Sequence, residues 1–155
     1  MVVTVLAFDT APIVAQARTD TDIPCDVAAT AEYYGGMYGI EPELILAICY
    51  TESSYQADVS NGSCVGIMQV NASVHKDILE NKGVTDLYDI QQNMCCGCMV
   101  LYNLMEEDDD IYSVLMKYNG DSKGLKRYRN TGVASAYSNK VVELCEKLKN
   151  GYECY

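Results

Sequence analysis

The chain has 155 residues, of which 49% are hydrophobic and 21% are charged, a composition typical of one folded domain rather than a low-complexity tail. Twenty-two acidic residues against 11 basic residues give a formal net charge of -11. A chain with this net charge lacks the excess of basic side chains that binding to nucleic acid phosphates requires. It therefore argues against a nucleic-acid partner and against unaided adsorption to anionic envelope polymers.

The first 23 residues differ in character from the rest of the chain. The apolar run over residues 1–8 is interrupted by Asp9 and is too short to cross a bilayer, so no membrane span is predicted. Ala15-Gln16-Ala17 resembles the A-x-A pattern of a signal-peptide cleavage site, but no basic segment precedes the apolar run. Residues 1–23 are interpreted as a leader or linker or as a signal remnant, and one domain is expected over 24–155.

Apolar spacing, prolines and glycines predict a mainly α domain. Helices are expected over residues 26–38, 42–54, 72–80, 89–106, 109–118 and 133–149. A polar loop at 58–64 precedes a short apolar segment, 65–70, that forms either a strand or a turn. The acidic run 106–110 lacks the alternating ligands and the glycine of a calcium loop, so it is interpreted as a solvated loop that caps the next helix.

The cysteines are many for a chain of this length and stand at positions 25, 49, 64, 95, 96, 98, 145 and 154. An even number in an exported chain is typical of disulfides, although the sequence cannot choose among the possible pairings. Residues 95–98 contain a C-x-x-C spacing, but the second close pair of a four-ligand zinc site is missing. Disulfides are therefore expected, with buried thiols as the alternative, and neither a metal nor another cofactor is predicted.

One carboxylate stands where a charge is unfavourable. Glu52 lies four residues after Ile48 and seven after Ile45, so on the second helix it shares the apolar stripe that faces the core. Burial raises the pKa of a carboxyl, and a glutamic acid that stays protonated near neutral pH can donate a proton to the leaving oxygen of a glycosidic bond. The alternative is an exposed glutamate at a frayed helix end, paired with a lysine.

The motif Glu-Ser-Ser-Tyr at 52–55 is followed by Gly-Ile-Met-Gln-Val-Asn at 66–71, and this pair resembles the catalytic core of the lytic transglycosylase family. Further segments resemble the family in its order. Asn93 and Gly97 match its Asn-x-x-x-Gly helix, residues 118–120 resemble its Tyr-Asn-x-Gly motif, and the segment from Tyr137 to Val141 matches its closing helix. Each later motif alone is common, and the ordered set is specific.

This resemblance covers residues 24–148 and implies a lysozyme-like domain, mainly α, with a small β or loop wall beside a sugar cleft. It also implies that Glu52 cleaves the β-1,4 bond between MurNAc and GlcNAc in peptidoglycan, as acid and then as base, so that a 1,6-anhydro sugar forms without water. Groups of the substrate then replace the second carboxylate of ordinary glycosidases. Asp58 is the nearest loop carboxylate, and it would either activate water, as in a muramidase, or be a solvated loop residue.

The resemblance further implies substrate contacts by Ser53, Gln69, Tyr118, Asn119 and Tyr137. Gln69 and Asn119 would hydrogen-bond sugar groups, while Tyr118 and Tyr137 would border the catalytic carboxyl. With 13 tyrosines and no tryptophan in the chain, a tyrosine can equally fill the core.

Two neighbouring residues are given structural roles. Met68 is assigned to packing beneath the cleft, and His75, the only histidine, to a helix surface. The chain departs from the family at Lys117, where alanine is usual, and at the glycine that directly follows Asn119.

Stand-alone members of the family are often carried by a secretion, conjugation or phage apparatus. The resemblance therefore implies peptidoglycan glycan strands as the partner and a place in the cell envelope or outside the cell. Two alternatives remain open: a muramidase that hydrolyses the same bond, and an inactive glycan-binding module.

Overall fold

The computed structural model describes residues 19–155. Most of the predicted leader over 1–23 thus lies outside the described residues. In the described part of the chain, no helix combines the length and the apolar character that crossing a lipid bilayer demands.

Helices make up 61% of the described residues. They are α1 (Cys25–Tyr38), α2 (Pro42–Ser53), α3 (Lys76–Lys82), α4 (Ile90–Glu107), α5 (Ile111–Tyr118), α6 (Ser122–Thr131) and α7 (Ala136–Lys149). The prediction of a mainly α, lysozyme-like domain with a small β wall is confirmed.

The strands are short and form two small sheets. They are β1 (Asp22–Ile23), β2 (Ser60–Asn61), β3 (Cys64–Val65), β4 (Val70–Asn71) and β5 (Glu153–Cys154). The antiparallel sheet β2-β3-β4 pairs Asn61 with Cys64 and Val65 with Val70, so the segment predicted as strand or turn contains both. The parallel pair β1-β5 joins the two ends of the described chain.

Helix α2 forms the centre of the core. Pro42 occupies its first turn, where a missing amide proton is harmless. Every residue from Leu44 to Cys49 is at most 5% exposed, so this part of the helix is buried on all sides rather than on one stripe. It packs against α7 and α1, and α1 in turn packs against α4.

Four helices begin at side-chain caps. The side chains of Asp89, Asp110, Asp121 and Ser135 accept hydrogen bonds from backbone amides in the first turns of α4, α5, α6 and α7. The interpretation of the acidic run as a cap for the following helix is therefore confirmed.

Some predicted helix boundaries were wrong, and one helix was not predicted. Helix α3 begins at Lys76 rather than at residue 72, because the Asn71 side chain accepts hydrogen bonds from the amides of Ser73 and Val74 and holds a turn there. Helix α6 was not predicted at all. Its sequence offers only two large apolar side chains, Leu125 and Tyr128, which are half-buried, and Gly124 is its only buried residue.

The expectation of disulfides is not supported, because all eight cysteines are free. Four of them, Cys49, Cys96, Cys98 and Cys145, are buried on helices in the hydrophobic core. There they pack as small apolar side chains, and burial raises the pKa of each of these thiols.

Candidate active site

The carboxyl of Glu52 lies at the end of α2 and is half-buried. Tyr137, near the beginning of α7, donates its phenolic proton to Glu52 Oε1 over 2.6 Å. Burial, together with the charge and hydrogen bond of Glu52, raises the pKa of Tyr137 far above its usual value. The phenol therefore stays protonated and acts only as a donor toward the carboxyl.

The environment of Glu52 favours its neutral form. Burial raises the pKa of the carboxyl, and this effect exceeds the opposing effects of the Tyr137 hydrogen bond and the Lys140 charge. No aspartate or glutamate of the described chain is among the groups that shift this pKa. Asp58, the alternative considered from the sequence, is an exposed loop residue.

The backbone turns sharply directly after the helix. Ser54 and Tyr55 have φ values of 52° and 64°, which is the left-handed region that residues with a side chain seldom occupy. The amide of Ser54 donates to the carbonyl of Tyr50, and the Tyr55 ring packs 5.3 Å from the ring of Tyr50. These contacts compensate a backbone strain of roughly 1 kcal/mol or more per residue.

Ser53 connects the end of α2 to residues 64–71, which comprise β3, a turn and β4 and are called the wall below. Its buried hydroxyl lies 2.8 Å from the carbonyl oxygen of Cys49 and 2.8 Å from that of Ile67. The hydroxyl is thus occupied within the protein, and its single proton serves either acceptor.

The wall beside Glu52 is attached to α4 by one amide side chain. Asn93 is fully buried, and its Oδ1 accepts from the amide of Met68 over 2.9 Å. Its Nδ2 donates to the carbonyls of Val65 and Leu87 over 2.8 and 2.7 Å. One side chain thereby satisfies three backbone groups, the buried Met68 amide and the part-buried carbonyls of Val65 and Leu87.

Two glycines let the wall approach α4 closely. A Cβ on Gly97 would lie 2.5 Å from Met68 Sδ, and a Cβ on Gly66 would collide with the Leu87 carbonyl and the Asn93 side chain. Gly66 also has φ 78°, a conformation that favours glycine. Sequence motifs had identified both glycines, but their contacts become visible only in three dimensions.

Met68 is fully buried beneath this wall, as expected from the sequence. Tyr118, at the end of α5, donates its phenolic proton to the Met68 carbonyl over 3.0 Å. Burial, then the proximity of Tyr137 and Glu52, raises the pKa of Tyr118 well above its usual value. The structure therefore brings Glu52, Tyr118 and Tyr137 together.

A cavity of about 260 Å³ lies against Tyr118. It is lined by Cys64, Gln69, Val70, Asn71, Val74, His75, Val100, Leu104, Lys117, Tyr118, Asn119 and Gly120. Gln69 Nε2 donates to the carbonyls of Gly66 and Val59, which holds this side chain at the cavity edge. Asn119 ends α5 and is exposed. Gln69, Tyr118 and Asn119 thus share the opening of one cavity.

Two lining residues were missed or placed differently by the sequence. His75 precedes α3 rather than lying on a helix surface, and burial lowers the pKa of this half-buried imidazole. Cys64 reaches the cavity because β3 pairs with β4, a neighbourhood that the short apolar segment alone does not reveal. Within residues 19–155, no group of three or more His, Cys, Asp or Glu side chains could hold a metal ion.

This geometry agrees with the comparison to known families. The model of the transglycosylase SLT domain matches residues 29–140, which include Glu52, the wall, Asn93, Tyr118 and Tyr137. The chain belongs to the SLT transglycosylase family.

Individual proteins of this family share modest sequence identity with the chain. The chain is 30% identical over 84 residues to the transglycosylase of Enterobacteria phage PRD1, a match that covers 54% of this chain and 30% of that protein. It is 28% identical over 152 residues to membrane-bound lytic murein transglycosylase C of Cronobacter sakazakii, covering 83% and 41%. The protein of that name from Pectobacterium atrosepticum is 34% identical over 106 residues, covering 58% and 30%. The chain spans less than half the length of these relatives.

Proposed function

We propose that the chain is a peptidoglycan lytic transglycosylase that cleaves the β-1,4 bond between MurNAc and GlcNAc and leaves a 1,6-anhydro-MurNAc end. The observation that carries this proposal is the half-buried Glu52 carboxyl, which accepts a hydrogen bond from Tyr137 and whose pKa is not shifted by any other carboxylate within residues 19–155. Family membership supports the reaction class.

In the first step, protonated Glu52 donates its proton to the glycosidic oxygen as the bond between this oxygen and C1 of MurNAc breaks. The raised pKa of Glu52 increases the fraction of the carboxyl that is protonated at a given pH, which this step requires. The leaving GlcNAc carries the proton away as a hydroxyl. Positive charge that develops on the MurNAc ring is met by groups of the sugar itself.

In the second step, Glu52 is a carboxylate and takes the proton of the C6 hydroxyl of MurNAc, and O6 forms a new bond to C1. The carboxylate is stabilised in this interval by the Tyr137 hydrogen bond and by the positive charge of Lys140. Glu52 ends the cycle protonated, so one residue serves as acid and base and no water is consumed.

The side chains around the cavity beside Tyr118 are proposed to position the sugars. Asn119 presents its amide group and Gln69 its amide oxygen at the opening, because Nε2 of Gln69 already donates to two carbonyls, while the Tyr118 and Tyr137 rings border the carboxyl. Ser53 acts by fixing the end of α2 against the wall, because its hydroxyl is bound to protein carbonyls.

We infer that the protein works in the cell envelope or outside the cell and reaches peptidoglycan through a larger assembly of the phage, secretion or conjugation kind. The strongly acidic chain is poorly suited to unaided adsorption on anionic wall polymers. One of its relatives is a phage transglycosylase, and others are named membrane-bound.

Mass spectrometry of the muropeptides released from purified peptidoglycan tests the reaction. A transglycosylase produces anhydro ends that are lighter by one water than the reducing ends of a muramidase. Anhydro ends alone are expected, and reducing ends would replace this proposal by hydrolysis. Intact binding without any release would instead indicate a glycan-binding module.

A further inference from the structure

The helix α6 has a charge opposite to that of the protein. It carries four of the 11 basic residues of the chain, Lys123, Lys126, Arg127 and Arg129, and none of its 22 acidic residues. The remainder of the chain is correspondingly more acidic than the net charge of -11 indicates. Basic side chains on this protein are therefore concentrated on one short element.

Most basic side chains of the described residues outside α6 contact a carboxylate or a tyrosine ring. Most of those on α6 do not. Lys76, Lys117, Lys147 and Lys149 each lie within 4 Å of a carboxylate, and Lys82 and Lys140 lie over tyrosine rings. Within residues 19–155, the basic residues with neither kind of contact are Lys123, Lys126 and Arg127. Arg129 approaches Asp108 at 3.8 Å.

These three cations share one face of the helix. Their spacing of three and four residues places them side by side, and all three are exposed. The half-buried Leu125 and Tyr128 occupy the opposite side, where Tyr128 packs 6.0 Å from the ring of Tyr112 on α5. The cationic face therefore points away from the protein.

The cationic face begins next to the cleft. Gly120 lines the cavity that contains Gln69 and Asn119, and Asp121 caps α6 directly after it. Lys123 follows three residues beyond the cavity lining. Because Tyr128 contacts Tyr112 at the beginning of α5, the helix runs back along α5 and leads away from the opening.

We propose that this face, Lys123, Lys126 and Arg127, binds carboxylates of the peptide stems of a glycan strand that lies in the cleft. The inference rests on the proposed function, since stems branch from the MurNAc residues of that substrate. Each stem carries free carboxylates, which complement exposed ammonium and guanidinium groups. The acidic remainder of the chain would repel the same stems, so α6 also sets the side from which a strand enters.

The test is binding in a Glu52→Gln background, which removes cleavage from the measurement. Two probes are used in sedimentation assays: purified glycan strands with intact stems, and the same strands after an amidase has removed the stems and the lactyl carboxylates exposed by this hydrolysis have been converted to neutral amides. The triple variant Lys123→Gln, Lys126→Gln, Arg127→Gln is expected to bind stem-bearing strands about tenfold more weakly, as expected for three exposed ion pairs. Its binding to stripped strands stays within about twofold of the parent protein.

A matched triple variant, Lys82→Gln, Lys147→Gln, Lys149→Gln, removes the same charge from other surfaces and should bind both probes like the parent. Raising the ionic strength to about 0.5 M should abolish the difference between the parent and the α6 variant, because salt screens exposed charges. Equal weakening on both probes, no weakening, or the same loss in the matched variant would overturn the inference.

Cleavage by the unmodified chain separates this inference from the proposed function. If stems strengthen binding through α6 but no fragments are released, the catalytic proposal fails and the inference stands. If anhydro fragments are released and the α6 variant behaves like the parent on both probes, the inference fails and the catalytic proposal stands.

Discussion

The hydroxyl of Tyr137 lies 2.6 Å from Oε1 of Glu52 and joins the beginning of α7 to the end of α2, 85 residues apart in the chain. This bond fixes the orientation of the carboxyl and stabilises its ionised form, while burial favours the protonated form. Glu52 is thereby held between two protonation states that the proposed reaction uses in turn.

Removing this bond should change both the rate and the pH profile. Tyr137→Phe deletes an interaction that lowers the Glu52 pKa, so that pKa rises further and the alkaline limb of kcat/KM moves to higher pH. The carboxyl is also less well oriented, which should lower the maximal rate about tenfold. Turnover of glycan strands across pH 4 to 9 measures both effects, and Tyr33→Phe, at an exposed position of α1, serves as the control. An unchanged alkaline limb would contradict the assignment.

The charge of Lys140 should act on the pH profile in the same direction. Lys140→Gln removes a positive charge that lowers the Glu52 pKa, so the alkaline limb of kcat/KM of this variant should also move to higher pH. Its maximal rate should fall less than that of Tyr137→Phe, because no hydrogen bond to the carboxyl is lost. High salt should reduce the shift caused by Lys140→Gln, because the side chain is exposed. A downward shift would show that Lys140 does not act through Glu52.

The buried carboxyl should destabilise the folded state at neutral pH. Because folding raises the Glu52 pKa, the native chain binds more protons than the unfolded chain from about pH 4.5 up to the raised pKa. Stability contributed by this group is therefore lost as the pH rises through that window. Glu52→Gln should unfold at a higher Tm than the parent at pH 7 and show little difference at pH 4. A gain that is equal at both pH values would argue against a raised pKa.

Asn93 should be among the residues on which the stability of the wall depends most. Asn93→Ala leaves the Met68 amide and the carbonyls of Val65 and Leu87 without their partner. We expect this change to lower the free energy of unfolding by about 3 kcal/mol or more. Denaturant unfolding measures this loss. Asn103→Ala, an exposed position on the same helix, is the control and should change stability by less than about 0.5 kcal/mol.

Two helical glycines should respond to alanine with opposite signs. In a helix, alanine is ordinarily favoured over glycine by about 1 kcal/mol, and Gly36→Ala has open space for its Cβ, so this variant should gain stability. Gly97→Ala should lose about 1 to 3 kcal/mol, because its Cβ would press against Met68 beneath the wall. A gain at Gly97 equal to that at Gly36 would contradict the close packing of α4 and the wall.

The sequence could predict the elements whose residues carry a local signal. Helix α2 follows from Pro42 and the apolar run after it, and the partial burial of Glu52 follows from its place on that helix. Helix α6 could not be found in this way, because its exposed lysines and arginines form no apolar stripe and its packing on α5 is a tertiary effect. The pairing of Asn93 with carbonyls far away in the chain likewise exists only after folding.

The cysteines illustrate the same limit. Their even number suggested disulfides, yet the fold places Cys49, Cys96 and Cys98 on helices inside the core, where they are free thiols. Cysteine content alone does not distinguish a cross-link from a small apolar side chain.

The most direct test of the central claim compares Glu52→Gln with Glu43→Gln, a change of the same kind in the first turn of α2. The quantity measured is the rate at which anhydro-muropeptides are released from purified peptidoglycan. We expect Glu52→Gln to lower this rate about a hundred- to ten-thousandfold, because it removes the acid and base of both steps, and Glu43→Gln to leave it within about twofold. Release by Glu52→Gln at a rate near that of the unmodified chain would contradict the account.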